Sequence, residues 1–224
     1  MGSTVDDHDE NFWLFGYGSL IWKPPPHFDK RIPGWVDGYV RRFWQASEDH
    51  RGTPEAPGRV VTLIERSHWD TLGDHHHDAP KSVWGVAYHI KPAKVAEVKK
   101  DLDIREINGY SIHFAPFQPA DGSAEIKTLV YIGTPDNEQF VGVQDPQELA
   151  AHIHKSEGPS GLNKEYLLNL DKALCELDAV ADSHIHDLAD RVRALDGPSH
   201  ADPRSPAFHR NTSTREAEEF EKTA

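Results

Sequence analysis

Short apolar runs recur along the first half of the chain, in the pattern typical of β-strands. Pro, Gly and Asp residues separate these runs, as expected for connecting turns. Six runs are rich in β-branched and aromatic residues and predict strands, at residues 12–15, 40–46, 60–64, 83–90, 112–117 and 126–132.

The second half of the chain follows a helical period. A helix is predicted from residue 92 to about residue 102, starting at Pro92. A second helix opens at the capping box Asp145–Glu148 and ends by Gly158. Asn163 is predicted to cap a longer helix. A further apolar stripe either continues that helix or forms a last one, and its members are Ile185, Leu188, Val192 and Leu195.

Six strands with three or four helices predict an α+β fold, arranged as a small barrel or curled sheet with flanking helices. Residues 11–196 contain no long linker and no internal repeat, and are predicted to form one domain. Residues 1–10 and 197–224 lack the apolar periodicity that would offset the entropy of ordering, and both are predicted to be disordered tails.

The composition narrows the range of partners and compartments. Acidic residues outnumber basic ones by 37 to 24, a formal charge of −13, which argues against nucleic acid or an anionic membrane as the main partner. No apolar run approaches the roughly 20 residues that cross a bilayer. The single cysteine, Cys175, excludes an internal disulfide and fits a reducing compartment. We therefore expect a cytoplasmic protein.

A glycine-containing turn follows the first predicted strand. Two glycines, Gly16 and Gly18, allow a sharp bend, and successive backbone N–H groups in such a turn can form an anion nest. Ile21 occupies the place of the third glycine of a dinucleotide fingerprint and also of the second glycine of a nucleophile elbow, so neither motif is present. By pattern alone, a plain tight turn is the simpler interpretation.

An ordered set of sequence blocks resembles the ChaC-type γ-glutamylcyclotransferases over about residues 12–190. One block alone could arise by chance, but the ordered set is highly specific. The blocks are FGYGSLIW (15–22), FWQAS (43–47), HRGTPEAPGRVVTL (50–63), WGVAY (84–88), LDIREINGY (102–110) and GPSGLNKEYL (158–167).

The resemblance implies a small mixed barrel flanked by helices, and the conversion of glutathione to 5-oxoproline and cysteinylglycine. It places the proton donor and acceptor at Glu106. It assigns the γ-glutamyl end of the substrate to the glycine turn, with Tyr166 as a secondary candidate that by pattern is a core aromatic. The turn residues concerned are Gly16, Tyr17, Gly18, Ser19, Leu20 and Ile21.

The implied reaction needs only proton transfer and ring closure. The α-amine of the glutamyl unit, mostly protonated at neutral pH, must lose a proton and attack its own γ-carbonyl. One carboxylate can take that proton and later protonate the leaving amine. We therefore expect no metal and no other cofactor. Glu55 is the reserve candidate for the base.

Two other functions are consistent with the same residues. The enzyme could act on other γ-glutamyl amines or amino acids, and only the resemblance of the His50-Arg51-Gly52 block favours glutathione. The chain could also be a non-catalytic module that binds a γ-glutamyl ligand. A retained Glu106 weighs against that module, because a pure binder gains nothing from a poised base.

Several reactive side chains are interpreted as structural. The three histidines at 75–77 are consecutive, so their side chains should point apart rather than converge on a metal. The pairs at 152 and 154 and at 184 and 186 should lie on helix surfaces. Cys175 has no evident His or Asp partner. Four polar residues of the family blocks are expected mainly to be scaffold: Gln45, Ser47, Arg51 and Arg59.

Overall fold

The computed structural model describes residues 11–105, 110–177 and 182–197, and nine strands lie in these segments. Five of them form a closed mixed barrel in the order β1-β5-β2-β6-β7, which the parallel pairing of Leu14 with Leu129 closes. The strands are β1 Trp13–Gly16, β2 Phe28–Asp37, β3 Tyr39–Ser47, β4 Gly58–Glu65, β5 Ser82–Ile90, β6 Ser111–Pro119, β7 Ile126–Ile132, β8 Glu157–Gly158 and β9 Gly161–Leu162.

The helices flank the barrel and pack mainly against the separate β3–β4 hairpin. The largest helix contacts are those of α3 with α5, α4 with α5 and α3 with α4, so these three form one layer. Two 3-10 turns, Ser19–Ile21 and Pro92–Lys94, precede longer elements. The α-helices are α1 Arg66–Trp69, α2 Val95–Arg105, α3 Pro146–Lys155, α4 Asn163–Glu176 and α5 Ser183–Leu195.

One continuous apolar cluster holds the barrel to this helical layer. Leu14 and Phe117 are fully buried within the barrel, and Leu170 and Leu188 of the helices belong to the same cluster. Burying a side chain of this size contributes about 1.5–3 kcal/mol relative to leaving it exposed. The barrel and the helices therefore stabilise each other, and the α+β barrel with flanking helices predicted from the sequence is confirmed.

All six predicted strands are present, but β2 was not predicted. Its sequence alternates poorly, because Pro33 and Gly34 interrupt it and charged residues fill its exposed start. Barrel closure nevertheless places β2 between β5 and β6. A Cβ on Gly34 would lie 2.2 Å from the backbone oxygen of Gln118, so only glycine permits this approach.

The helix boundaries agree with the predictions at one cap and differ at another. Asp145 caps α3, since its carboxylate accepts from the backbone N–H groups of Gln147 and Glu148. The prediction that Asn163 caps α4 was wrong: Leu162 is the N-cap, and the Asn163 side chain instead bonds the backbone N–H and C=O of Arg59, at 2.7 Å each. The Asn163 amide thus joins α4 to β4.

The predicted surface position of His184 was also wrong, because its side chain is buried between β3 and the loop before β5. Its Nε2 accepts from the backbone N–H of Phe43 at 3.1 Å. Its Nδ1 therefore carries the proton and donates to Nδ1 of His76 at 3.0 Å, and His76 Nε2 donates to Asp187 at 2.8 Å. In the described part of the chain, His76 is the one residue of the three consecutive histidines whose ring bonds another side chain.

The surroundings of His184 disfavour its cation. Burial, followed by the charges of Arg42, His76 and Arg41, lowers the pKa of His184 well below 6.5. Arg42 is itself buried and paired with Asp74 at 2.6 Å. The neutral tautomer of His184 is therefore part of the folded state.

Acidification should destabilise the protein through His184. Below about pH 6.5 the unfolded chain binds a proton at this residue that the folded state does not accept, so stability falls as the pH drops. One such proton reduces the free energy of unfolding by up to about 1.4 kcal/mol per pH unit. Urea unfolding at pH 7.5, 6.5 and 5.5 measures this dependence.

The variant His184→Gln tests this assignment, and His68→Gln is its matched control. Glutamine at 184 can still accept from Phe43 but does not titrate, so this variant should show a shallower pH dependence below 6.5. His68 is exposed, and its replacement should leave the wild-type slope unchanged. Equal slopes in wild type and His184→Gln would contradict the assignment.

Candidate active site

The glycine turn leaves the barrel at the end of β1 and continues into the 3-10 turn Ser19–Ile21. The backbone N–H of Ile21 donates to Gly18 O at 3.0 Å, and that of Lys23 donates to Ser19 O at 2.8 Å. Tyr17 directs its hydroxyl to the carbonyl of Tyr131 on β7, at 2.8 Å. These bonds hold the turn against the end of the barrel.

Tyr166 of α4 closes over the same turn. A Cβ on Gly18 would lie 2.7 Å from the Tyr166 hydroxyl and 3.0 Å from a methyl of Val61, so a side chain here would force one of these groups to move. The ring of Tyr166 meets Trp22 and Phe43 edge-on, with centroids 5.3 and 5.8 Å away. The position of Tyr166 is thus fixed both by the core and by the turn.

A cavity lies between the glycine turn and Tyr166, and we call it the glycine-turn cavity. Its walls come from β1, the 3-10 turn, β4, β7 and α4, so no single element forms it. Four tyrosines supply hydroxyl groups and aromatic surface. The lining residues are Phe15, Gly16, Tyr17, Gly18, Ser19, Leu20, Val61, Tyr110, Tyr131 and Tyr166.

A second cavity adjoins the first and shares Ser19, Tyr110 and Tyr166 with it; we call it the distal cavity. It differs from the first in having charged side chains in its wall, beside several hydroxyl groups. The two cavities form one cleft that leads from the glycine turn to the β3–β4 side of the molecule. The remaining residues lining the distal cavity are Trp22, Lys23, Ala46, Ser47, Asp49, His50, Arg51, Val60 and Ser160.

Arg41 and Arg51 are buried, and Arg59 is partly buried. Burial lowers the pKa of Arg41, Arg51 and Arg59. Arginine nevertheless stays protonated at neutral pH, since its ordinary pKa exceeds 12. Desolvated cations act strongly on a nearby anion because the local dielectric constant is low.

The structure brings most of the predicted binding residues together. Residues 16–20 and Tyr166 all line the glycine-turn cavity. Ile21 does not: its side chain is 5% exposed and packs in the core, behind the turn. Glu106, the predicted acid/base residue, lies outside the described residues.

Several lining residues were not predicted, or were assigned to the scaffold. Ser47 and Arg51 line the distal cavity, whereas Gln45 and Arg59 do not line either cavity. Tyr131 carried no sequence signal, because it reads as one more aromatic residue of a strand. Tyr110 lies within a family block, and its position directly after Glu106–Gly109 could have indicated it.

Among the described residues, few carboxylates and potential metal ligands lie around the cleft. Asp49 is the acidic residue among the lining residues, while the reserve base Glu55 is exposed and lines neither cavity. Within residues 11–105, 110–177 and 182–197, no three His, Cys, Asp or Glu side chains are grouped to hold a metal ion. None of the helices in these segments has the length and apolar character needed to span a bilayer.

The closed mixed barrel with flanking helices is also the fold of a solved γ-glutamylcyclotransferase. The structure superimposes on that of a γ-glutamylcyclotransferase specific to glutathione from yeast with a TM-score of 0.76. The two chains are 36% identical, and the match covers 83% of this chain and 96% of the yeast one.

Comparison of the sequence with known families identifies the family of this chain. Residues 12–195 match the model of the ChaC-like proteins, and the chain belongs to this family. It is 44% identical to the glutathione-specific gamma-glutamylcyclotransferase of Schizosaccharomyces pombe, over 82% of this chain and 93% of the relative. It is 39% identical to gamma-glutamylcyclotransferase 2-3 of Arabidopsis thaliana, over 82% of this chain and 89% of the relative.

The close approach at Gly18 predicts a coupling with Tyr166. Gly18→Ala should lower stability by about 1–3 kcal/mol, the usual cost of forcing an extra methyl into a packed site. The double variant Gly18→Ala/Tyr166→Phe should recover part of that loss, since the hydroxyl nearest the new methyl is gone. Urea unfolding of the two single variants and the double variant gives the coupling energy.

Ser19→Ala is the matched control in the same turn, because it removes a hydroxyl without adding volume. It should perturb stability and turnover less than Gly18→Ala. Strict additivity of Gly18→Ala and Tyr166→Phe would show that the hydroxyl does not restrict residue 18.

Proposed function

We propose that this protein is a γ-glutamylcyclotransferase that cleaves glutathione to 5-oxoproline and cysteinylglycine. The observation that carries the proposal is the 44% identity, over most of both chains, to an enzyme named for that specificity. The relatives from Saccharomyces cerevisiae and Homo sapiens bear the same specificity in their names, at 39% and 38% identity. The cleft between the barrel and α4 is the proposed active site.

The chemistry is an intramolecular displacement. The glutamyl α-nitrogen bonds to the γ-carbon, and the bond from that carbon to the cysteine nitrogen breaks. Starting from the ammonium form, the attacking nitrogen loses two protons and the departing amine gains two, so the reaction needs no water and no oxidant. The enzyme must hold the attacking conformer and relay these protons.

The glycine-turn cavity is the proposed site for the γ-glutamyl unit. Backbone N–H groups of residues 17–20 are the proposed donors to its α-carboxylate or to the oxyanion that develops on the γ-carbonyl. Tyr166 supports this role, since it closes the cavity while its ring is fixed by Trp22 and Phe43. A rigid wall favours one conformer of a flexible glutamyl chain, which promotes ring closure.

Glu106 is the proposed acid/base residue. Its assignment rests on the LDIREINGY block, and chain connectivity is compatible with it. Tyr110, four residues later, lines both cavities. Four residues span at most about 14 Å, a length that does not conflict with the assignment.

Glu106→Gln should abolish turnover without unfolding the protein. Glutamine keeps the size of the side chain but cannot relay a proton, and acid–base catalysis contributes about a hundredfold to ten-thousandfold. Formation of 5-oxoproline from glutathione measures turnover, and calorimetry measures glutathione affinity separately. Glu176→Gln is a matched control, since that side chain is exposed at the end of α4.

Two outcomes would overturn parts of this proposal. If Glu106→Gln keeps more than about a tenth of wild-type turnover, Glu106 is not the base, and Asp49→Asn becomes the next variant to test. If wild type forms no 5-oxoproline from any γ-glutamyl compound, the enzymatic function itself is wrong. Equal turnover of simple γ-glutamyl amino acids would instead reject the glutathione specificity.

The catalytic unit is proposed to be residues 11–196. The proposed compartment is the cytoplasm, because a chain with a single cysteine forms no internal disulfide and fits a reducing environment. Removing residues 1–10 and 200–224 should therefore leave the melting temperature and the turnover nearly unchanged. The family match over residues 12–195 supports this boundary. Differential scanning calorimetry and the 5-oxoproline assay test it, and a large loss in either would show that a terminal segment contributes to the domain.

A further inference from the structure

The distal cavity has cationic and N–H groups whose role the γ-glutamyl unit does not explain. Lys23, His50 and Arg51 line it, and Asp49 is the one carboxylate among its described lining residues. Shared walls join it to the glycine-turn cavity, so a substrate held at the turn can extend into it.

Arg51 is a buried cation with incomplete charge compensation. It is 6% exposed, and its Nη1 donates to the carbonyl of Leu162 at 2.9 Å. Its acidic neighbour Glu165 lies 3.7 Å away with its own side chain 55% exposed. Because burial lowers the pKa of Arg51, the surroundings compensate its charge less well than water does. A bound anion would supply the missing compensation.

Two further polar atoms in the wall lack hydrogen-bond partners within the described segments. Nε1 of Trp22 is buried and unpaired, although an indole N–H can only donate. Nε2 of His50 is likewise buried and unpaired, 4.0 Å from the carboxylate of Asp49. The Nδ1 of the same histidine lies 3.3 Å from the hydroxyl of Ser160, which orients the ring. Both residues line the distal cavity, so an acceptor bound there is the candidate partner for these groups.

We propose that the distal cavity is the subsite for the C-terminal carboxylate of the leaving dipeptide, with Arg51 and His50 as its recognition residues and Trp22 as a further donor. This inference rests on the proposed function. Glutathione carries one carboxylate at each end, and the γ-glutamyl end lies at the glycine turn. The other carboxylate is then left for the basic cavity beyond it.

The subsite gives a physical reason for preferring a dipeptide leaving group. In γ-glutamylcysteine the carboxylate lies one residue, about 3.5 Å, nearer to the scissile bond and falls short of the subsite. A hydrogen bond to a charged partner contributes enough to change affinity about tenfold to a hundredfold. Discrimination of this size therefore follows from the placement of Arg51 and His50.

Wild-type enzyme tests the subsite without any mutation. Glutathione and its glycine monoethyl ester differ only in the charge and bulk of the C-terminal carboxyl group. The ester should show a kcat/KM at least about tenfold lower, mainly through a higher KM. Equal kcat/KM for the two compounds would overturn the subsite while leaving the cyclotransferase function intact, whereas no turnover of either would refute the function.

Variants then assign the residues. Arg51→Gln and His50→Gln should lower kcat/KM for glutathione but not for the ester, so that the ratio between the two substrates approaches one. Arg51→Lys should retain part of the preference, because it keeps the charge. A loss that is equal for both substrates would mark Arg51 as structural and overturn its assignment.

The control is His68→Gln, an exposed histidine away from the cleft, which should leave the substrate ratio at its wild-type value. If Arg51→Gln fails to fold, His50→Gln decides, since that side chain is 45% exposed. An unchanged ratio in His50→Gln would then overturn the role of His50.

Discussion

The contact between the glycine turn and Tyr166 determines the shape of the cleft. The turn belongs to the barrel and the tyrosine to the helical layer, so the cavity exists only when the two layers are docked. Gly18 allows the hydroxyl of Tyr166 to lie closer to the turn than it could beside a side chain at residue 18 without a shift. The edge-on packing of Trp22 and Phe43 against the same ring fixes it from the other side. Binding geometry and core packing therefore depend on the same residues.

Local electrostatics oppose the overall charge of the protein. A net charge of −13 repels anions at long range, but salt screens that field beyond roughly 8–10 Å. Arg41 and Arg51 are buried close to the aromatic wall of the cleft, where screening is weak. A few desolvated arginines can therefore attract an anion locally, although the net charge of the protein is negative.

Sequence reasoning succeeded where a signal was local and failed where partners were distant. The strand runs and the Asp145 cap are local, and they are confirmed. β2 was missed because Pro33 and Gly34 disrupt its pattern, and barrel closure overrides that irregularity. Asn163 belongs to a residue type that commonly caps helices, but its side-chain amide bonds the backbone of Arg59 across the fold. The burial of His184 likewise depends on Phe43 and on the loop before β5.

The sequence by itself determined the family, the α+β class and the glycine turn, because these follow from ordered motifs and from periodicities of two and 3.6 residues. Only the tertiary structure decided which side chains face the cleft. Ile21 turned into the core, while Ser47 and Arg51, which looked like scaffold, line the distal cavity. The reason is physical: a cleft between two layers is formed by residues far apart in sequence, and packing alone sets which of them meet.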